Sequence, residues 1–151
     1  MSTIKVDTYL TRGGASEIAI DKLKGVTSAG SMTVVGEGGS TTTNLQQGLA
    51  KAWSFHDQAD GSGELLDSLN VSSADDDGTG LVGINFTNAM GNANYSVALA
   101  NEDGSGTNDS VGIHRDTGSQ TRGTGEFNYI MMHATSPNDG IGSLQVLGDL
   151  A

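Results

Sequence analysis

Residues 49–97 read LAKAWSFHDQADGSGELLDSLNVSSADDDGTGLVGINFTNAMGNANYSV, and the way this stretch folds decides the architecture of the chain. Val82, Ile84 and Phe86 fall on one side of an extended run and Gly83, Asn85 and Thr87 on the other, the period-two alternation of a half-buried strand. Tyr95, Val97 and Leu99 repeat it, facing away from Ser96 and Ala98. Leu69-Asn70-Val71 lies across the turn-rich Ser72–Gly80 from the first run, which predicts a hairpin. Upstream, two readings compete. Leu45, Leu49 and Trp53 recur at i, i+4 and i+8 behind Thr43 or Asn44 as an N-cap, which suits a two-turn helix in which Gly48 costs about 1 kcal/mol relative to alanine. Alternatively, Ala50–Phe55 is already a strand and buries Trp53. Several short strands at this spacing imply an antiparallel sandwich or barrel.

Working outward, the carboxy-terminal third continues the same sheets. Val111–His114 is extended, Phe127–Ala134 is the most apolar run and reads as a buried strand, and Leu144–Leu147 is the closing strand. Met131 and Met132 are assigned to the core or a subunit interface. The polar loop Asn101–Ser110 is expected to be exposed, with Asp103, Asn108 and Asp109 as its candidate contacts. On the amino-terminal side, Ile4–Leu10, Ile18–Ile20 and Met32–Val35 alternate as short strands with few large apolar residues. Such strands gain stability by pairing with another chain. The expected organisation is therefore a docking arm over residues 1–39, a linker or short helix over 40–49, and a β-sandwich body over 50–151. In the arm, Ile4, Val6, Tyr9, Leu10, Ile18 and Ile20 are the candidate docking residues. The fold class is mainly β: an antiparallel, jelly-roll-like sandwich with an extended, strand-rich arm.

Composition narrows the function. With 35% apolar residues and 23 glycines in 151, the chain buries a thin core, and with no cysteine that core has no disulfide support. Oligomerisation is the expected reinforcement. Charge is unevenly placed: residues 1–51 carry five Lys/Arg against four acids, whereas residues 52–151 carry two against fourteen. An acidic body repels phosphate backbones, which argues against nucleic acid as a partner. No apolar run approaches the roughly 20 residues of a membrane span, and Met1–Leu10 lacks the apolar core of a signal peptide. The sequons at Asn70, Asn85, Asn94 and Asn108 are then chance matches in an Asn/Ser/Thr-rich chain.

Five pieces in order resemble one family: Ala50–Trp53, Asp67–Ser73, Asp77–Gly80, Ile84–Thr87 and Ala93–Val97. The series is similar to a β-rich module of tailed-bacteriophage virion structural proteins, tail fibres and fibre-like proteins of phages of aquatic bacteria. Met1–Thr8 followed by Thr11-Arg12 and a glycine-rich turn is similar to the start of many such proteins. The chain departs from the pattern in the long acidic segment Ser54–Leu66 and at Gly91, where proline is common. The resemblance implies a virion component bound to itself and to tail or capsid proteins. As a short fibre or spike it would touch a host surface glycan; as a capsid decoration protein it would lie on the shell.

His56, His114 and His133 lie far apart without metal-ligand spacing, and no serine sits in G-x-S-x-G. Asp60 and Glu64 could flank a sugar, but nothing separates them from a solvated turn. From Asp75 the run DDDGTGLVGINF has acids at loop positions 1 and 3 and glycine at 6, yet Phe86 stands where an EF-hand needs glutamate. A polar hairpin turn is the better reading. No catalytic, metal or cofactor residue is assigned, and the chain is read as non-enzymatic.

Overall fold

The computed structural model describes residues 32–36, 38–59, 63–102, 110–113 and 122–150. The expected docking residues Ile4, Val6, Tyr9, Leu10, Ile18 and Ile20 lie outside them, as do Asp103, Asn108, Asp109 and His114. Strands β1 (Thr33–Val35) and β2 (Thr42–Asn44) form a hairpin of their own, followed by the one-turn helix α1 (Leu45–Gly48). The body consists of β3 (Ala50–Asp57), β4 (Glu64–Leu69), β5 (Val71–Gly78), β6 (Leu81–Phe86), β7 (Ser96–Glu102), β8 (Ser110–Ile113), β9 (Glu126–His133), β10 (Ser136–Pro137) and β11 (Ile141–Leu147). Every pairing between them is antiparallel.

The body is a two-sheet sandwich, as the alternation predicts. One sheet runs β4-β3-β11-β7, and the other joins β5, β6, β9, β8 and β10. Met131 places β10: its N–H donates to Gly80 O at 2.7 Å and its C=O accepts from Asn138 N–H at 3.2 Å. The N–H and C=O of one strand residue point to the same edge, so β10 continues the line of β6, and β8 takes the other side of β9. Ala52, Leu144 and Val146 of the first sheet meet Val82, Ile84, Phe127 and Tyr129 of the second in one core. In strand order the structure departs from a jelly roll. There, successive strands mostly alternate between sheets; here β3–β4, β5–β6 and β8–β9 are each neighbours within one sheet.

Two local expectations change. The Ser72–Gly80 stretch is not a turn but strand β5, with Val71 and Ala74 buried and Ser72, Asp75 and Asp77 exposed. An edge strand can be polar because only one face needs to be apolar, and its carboxylates discourage edge-to-edge pairing. The turn shrinks to Thr79-Gly80. Gly80 has φ +70°, and a Cβ there would come under 3 Å from Met131 O, Asn138 N and Pro137 Cβ, so only glycine fits. The helix also stops after one turn. Asn44 caps it by accepting from Gln47 N–H at 3.0 Å, and Trp53 belongs to β3 instead.

A line of rings runs through the core. Phe86–Tyr95, Tyr95–Phe127, Phe127–Tyr129 and Tyr129–His56 have centroids 5.9, 6.3, 6.2 and 5.9 Å apart. Arg122 lies over two rings of this line, its guanidinium 5.1 Å from the Tyr95 centroid and 5.5 Å from that of Phe127. It also donates to Tyr95 O at 2.6 Å. Tyr95 Oη lies 2.9 and 3.0 Å from the carbonyl oxygens of Gly123 and Glu126, which share its one proton. Arg122→Ala removes a cation over two rings and a charge-assisted hydrogen bond, for an expected loss of about 1–3 kcal/mol in urea unfolding. Arg122→Lys should recover less than half, because an ammonium cannot cover both rings.

Candidate functional site

Strand β3 supplies both candidate surfaces of the body, one on each face. Inward point Ala52, Ser54 and His56, followed by Gln58; outward point Lys51, Trp53, Phe55 and Asp57. The inner face carries the only arrangement of described residues with the look of catalytic machinery. Ser54 Oγ lies 3.1 Å from His56 Nδ1, and His56 Nε2 lies 2.6 Å from Tyr129 Oη on the opposite sheet. Burial pushes the Tyr129 phenol well above its ordinary range, so it stays protonated. With Tyr129 donating to Nε2, the His56 proton sits on Nδ1 and is given to Ser54 Oγ. The imidazole is held neutral: burial lowers its pKa from 6.5 to about 4, partly offset by the Asp57 carboxylate.

Geometry makes this chain of groups a structural bridge. Ser54 is 2% exposed, and His56 and Tyr129 are fully buried. The Ser54 hydroxyl oxygen therefore accepts a hydrogen bond from the imidazole N–H in a sealed space with no face open to a substrate, and the bridge ties the two sheets together through their centre. Gln58, also fully buried, extends the polar strip by donating to Asp75 O at 3.2 Å.

The outer face is open. Across the four strands, one row places Leu69, Trp53, Gln145 and Ala98 side by side, and the next places Asp67, Phe55, Ser143 and Ala100. Phe55 is 41% exposed and Leu69 47%, with Leu66 in the β4 bulge and Leu147 beside them also exposed. Trp53 is half-buried among these neighbours rather than in the core, which corrects the expectation of a buried tryptophan. At one end the aromatic strip stops at a row of Glu64, Asp57, Ile141 and Glu102. With Asp67 in the neighbouring row, four carboxylates flank the apolar centre. The only cation on this stretch of β3, Lys51, is turned back onto the carbonyls of Gln46 and Leu49.

The acidic hairpin has no comparable definition. Asp76 accepts from Gly78 N–H at 2.9 Å and Asp75 from Asn85 Nδ2 at 2.7 Å, both serving the turn and the strand pair. Partial burial and the neighbouring Asp75 and Asp76 raise the Asp77 carboxyl above its usual pKa. Among the described residues no group of three His, Cys, Asp or Glu side chains is placed to hold a metal ion. None of their helices is long and apolar enough to cross a membrane. Asp60 lies outside the described residues, and Glu64 stands in the acidic row of the outer face.

Sequence reasoning missed this outer face, although a signal was present. In Ala52-Trp53-Ser54-Phe55-His56 the small and polar residues alternate with the aromatics, and the sandwich takes the small set inside. No family model matches the chain, and no curated protein or solved structure matches it.

Proposed function

We propose that this chain is a non-catalytic structural component of a tailed-bacteriophage virion. In this reading it is a short oligomeric tail fibre or spike, joined to the particle by its amino-terminal arm, with its β-rich body turned outward toward a host surface glycan. The ordered resemblance of residues 50–97 supplies the virion setting. The observation that favours contact over catalysis is the division of β3: its potentially reactive groups are sealed inside, and its aromatics face solvent. Open, flat apolar faces on small domains are characteristic of protein or ligand contact.

A homotrimer suits the thin core and would bring several such bodies to one attachment point. The β1–β2 hairpin carries Val34 and Val35 at 52% and 57% exposure, the dress of an element that meets another protein. A second reading is a decoration protein on the outer surface of the capsid. It is favoured by the absence of repeats or heptads that would give a fibre reach.

Gold-labelled antibody against the body, applied to purified particles, tests both. Label on the tail is expected; label distributed over the head moves the assignment to decoration. Particles without label, and without the chain in their protein profile, overturn the virion reading. Light scattering at micromolar concentration should give a multiple of the 15.4 kDa chain mass.

A further inference from the structure

We propose that the outer face of the β4-β3-β11-β7 sheet pairs with the same face of a second copy, the strands of the two running antiparallel about a two-fold axis. The outward residues of β3 read Lys51, Trp53, Phe55 and Asp57: a cation, two aromatics and an anion at two-residue spacing. Turned end for end, this order is its own complement. A two-fold axis lying across β3 at Ser54 sets Trp53 over the partner's Phe55 and Lys51 over the partner's Asp57. The same axis crosses the neighbouring strands at the same level, because the rows run Trp53-Gln145-Ala98 and Phe55-Ser143-Ala100. On β11 it brings Gln145 over the partner's Ser143 and Leu147 over the partner's Ile141. On β7 it brings Ala98 over the partner's Ala100. Each of these contacts matches apolar with apolar, small with small, or hydrogen-bond donor with acceptor. On β4, at the margin, Leu69 meets the partner's Asp67, whose carboxylate can turn to water.

Charge fixes the direction of the pair. Residues 52–151 carry fourteen acids and two Lys/Arg, so two bodies can meet only where their anions stay apart. Asp57, Glu64 and Glu102 stand in one row at one end of the face. Parallel pairing would set that row against its counterpart. Antiparallel pairing moves the two rows to opposite ends, about 20 Å apart along the strands. The end that receives the partner's row holds Lys51. Its ammonium has three N–H groups, and the carbonyls of Gln46 and Leu49 take two, which leaves one for a carboxylate. The face measures about 20 Å in each direction, or on the order of 400 Å² on each copy. That is at the low end for specific association, so the pair forms and separates in the micromolar range. It couples bodies in twos, whatever joins the amino-terminal arms, and leaves glycan contact to other surfaces of the body. It does not depend on the virion reading and stands for a tail, a head or neither.

Light scattering of the full-length chain, with far-UV dichroism to confirm folding, tests the pairing. Phe55→Ser removes an exposed ring and should halve the mass measured at high micromolar concentration, with the dichroism unchanged. Lys51→Glu and Asp57→Lys should each do the same alone, because each sets like charges against one another. Mixed in equal amounts, these two variants should recover the wild-type mass, since the charges at both contacts are then opposite again. Trp53 is the sole tryptophan, so diluting the wild-type chain through the micromolar range should shift its emission to the red. A mass untouched by Phe55→Ser overturns the pairing. Folded charge variants whose mixture stays at the halved mass overturn the antiparallel register and the proposal with it. The antibody label on particles tests the virion reading separately and leaves these results unaffected.

Discussion

Gly142→Ala is expected to destabilise the protein by about 3–5 kcal/mol, lowering the thermal midpoint by about 10 °C or more. Gly142 lies in β11 opposite His56 on one side and Asn101 on the other, with ordinary extended backbone. Proximity, not conformational freedom, requires glycine there. A Cβ would stand under 3 Å from Tyr129 Oη, Met131 Cε and His56 Nε2. The methionine methyl can swing aside, but the two polar atoms hold a 2.6 Å hydrogen bond across the centre of the sandwich. Both residues are fully buried, so neither can withdraw to water. The added methyl must part them, and two buried polar groups then lose their partner at about 1–3 kcal/mol each, with overpacking strain in addition. Against a total stability of about 5–15 kcal/mol this is a large fraction. Urea unfolding followed by far-UV dichroism measures it. Tyr129→Phe in the same chain removes the oxygen that meets the methyl, so the double variant should be less destabilised than the sum of the singles. A wild-type midpoint for Gly142→Ala would mean that the two sheets are not held this closely at His56.

The two sheets were legible in the sequence to different depths. Val82, Ile84 and Phe86 alternate with Gly83, Asn85 and Thr87, and the first three are buried as the period requires. Residues 127–131 of β9 are buried on both faces, and their near-continuous apolar run announced it. Strand β5 was hidden because an edge strand needs few apolar residues, and Val71 and Ala74 are displaced from strict alternation by the register shift after Val71. Strand β3 was legible as a strand but not in orientation. Hydrophobicity ranks Trp53 and Phe55 above Ala52, Ser54 and His56 for burial, and the fold takes the opposite set. What decides is the space left between β3 and β9: the Tyr129 ring already fills it, leaving room for small side chains and one imidazole. That constraint couples residues 73 positions apart, a pairing that no local pattern contains. The bridge of Ser54, His56 and Tyr129 was missed for the same reason, His56 reading as half of an ordinary His-Asp dipeptide.

The buried imidazole gives the protein an acid dependence of the opposite sign to the one its composition suggests. With a net charge of −11, the chain should lose self-repulsion as its carboxylates protonate, and its stability should rise toward mildly acid pH. Asp77 pushes the same way: partial burial first, and then the neighbouring Asp75 and Asp76, raise its carboxyl in the folded state, so protonation relieves a cost that folding creates. His56 works against both. Its folded pKa is lowered from 6.5 to about 4, so between those values the unfolded chain binds the extra proton and the folded chain does not. Stability from this group is therefore complete above about pH 6.5, falls as pH drops toward 4, and levels off below. The full loss is about 3 kcal/mol, from 1.36 kcal/mol for each pKa unit. Urea unfolding at intervals from pH 7.5 to 4 should show a net decline across this window. His56→Gln keeps a polar side chain near Tyr129 without a titrating proton. It should be less stable than the parent at pH 7.5, yet gain stability on acidification as the carboxylates alone dictate. A parent curve that rises through the same window would mean that water reaches the imidazole and that the bridge between the sheets is open.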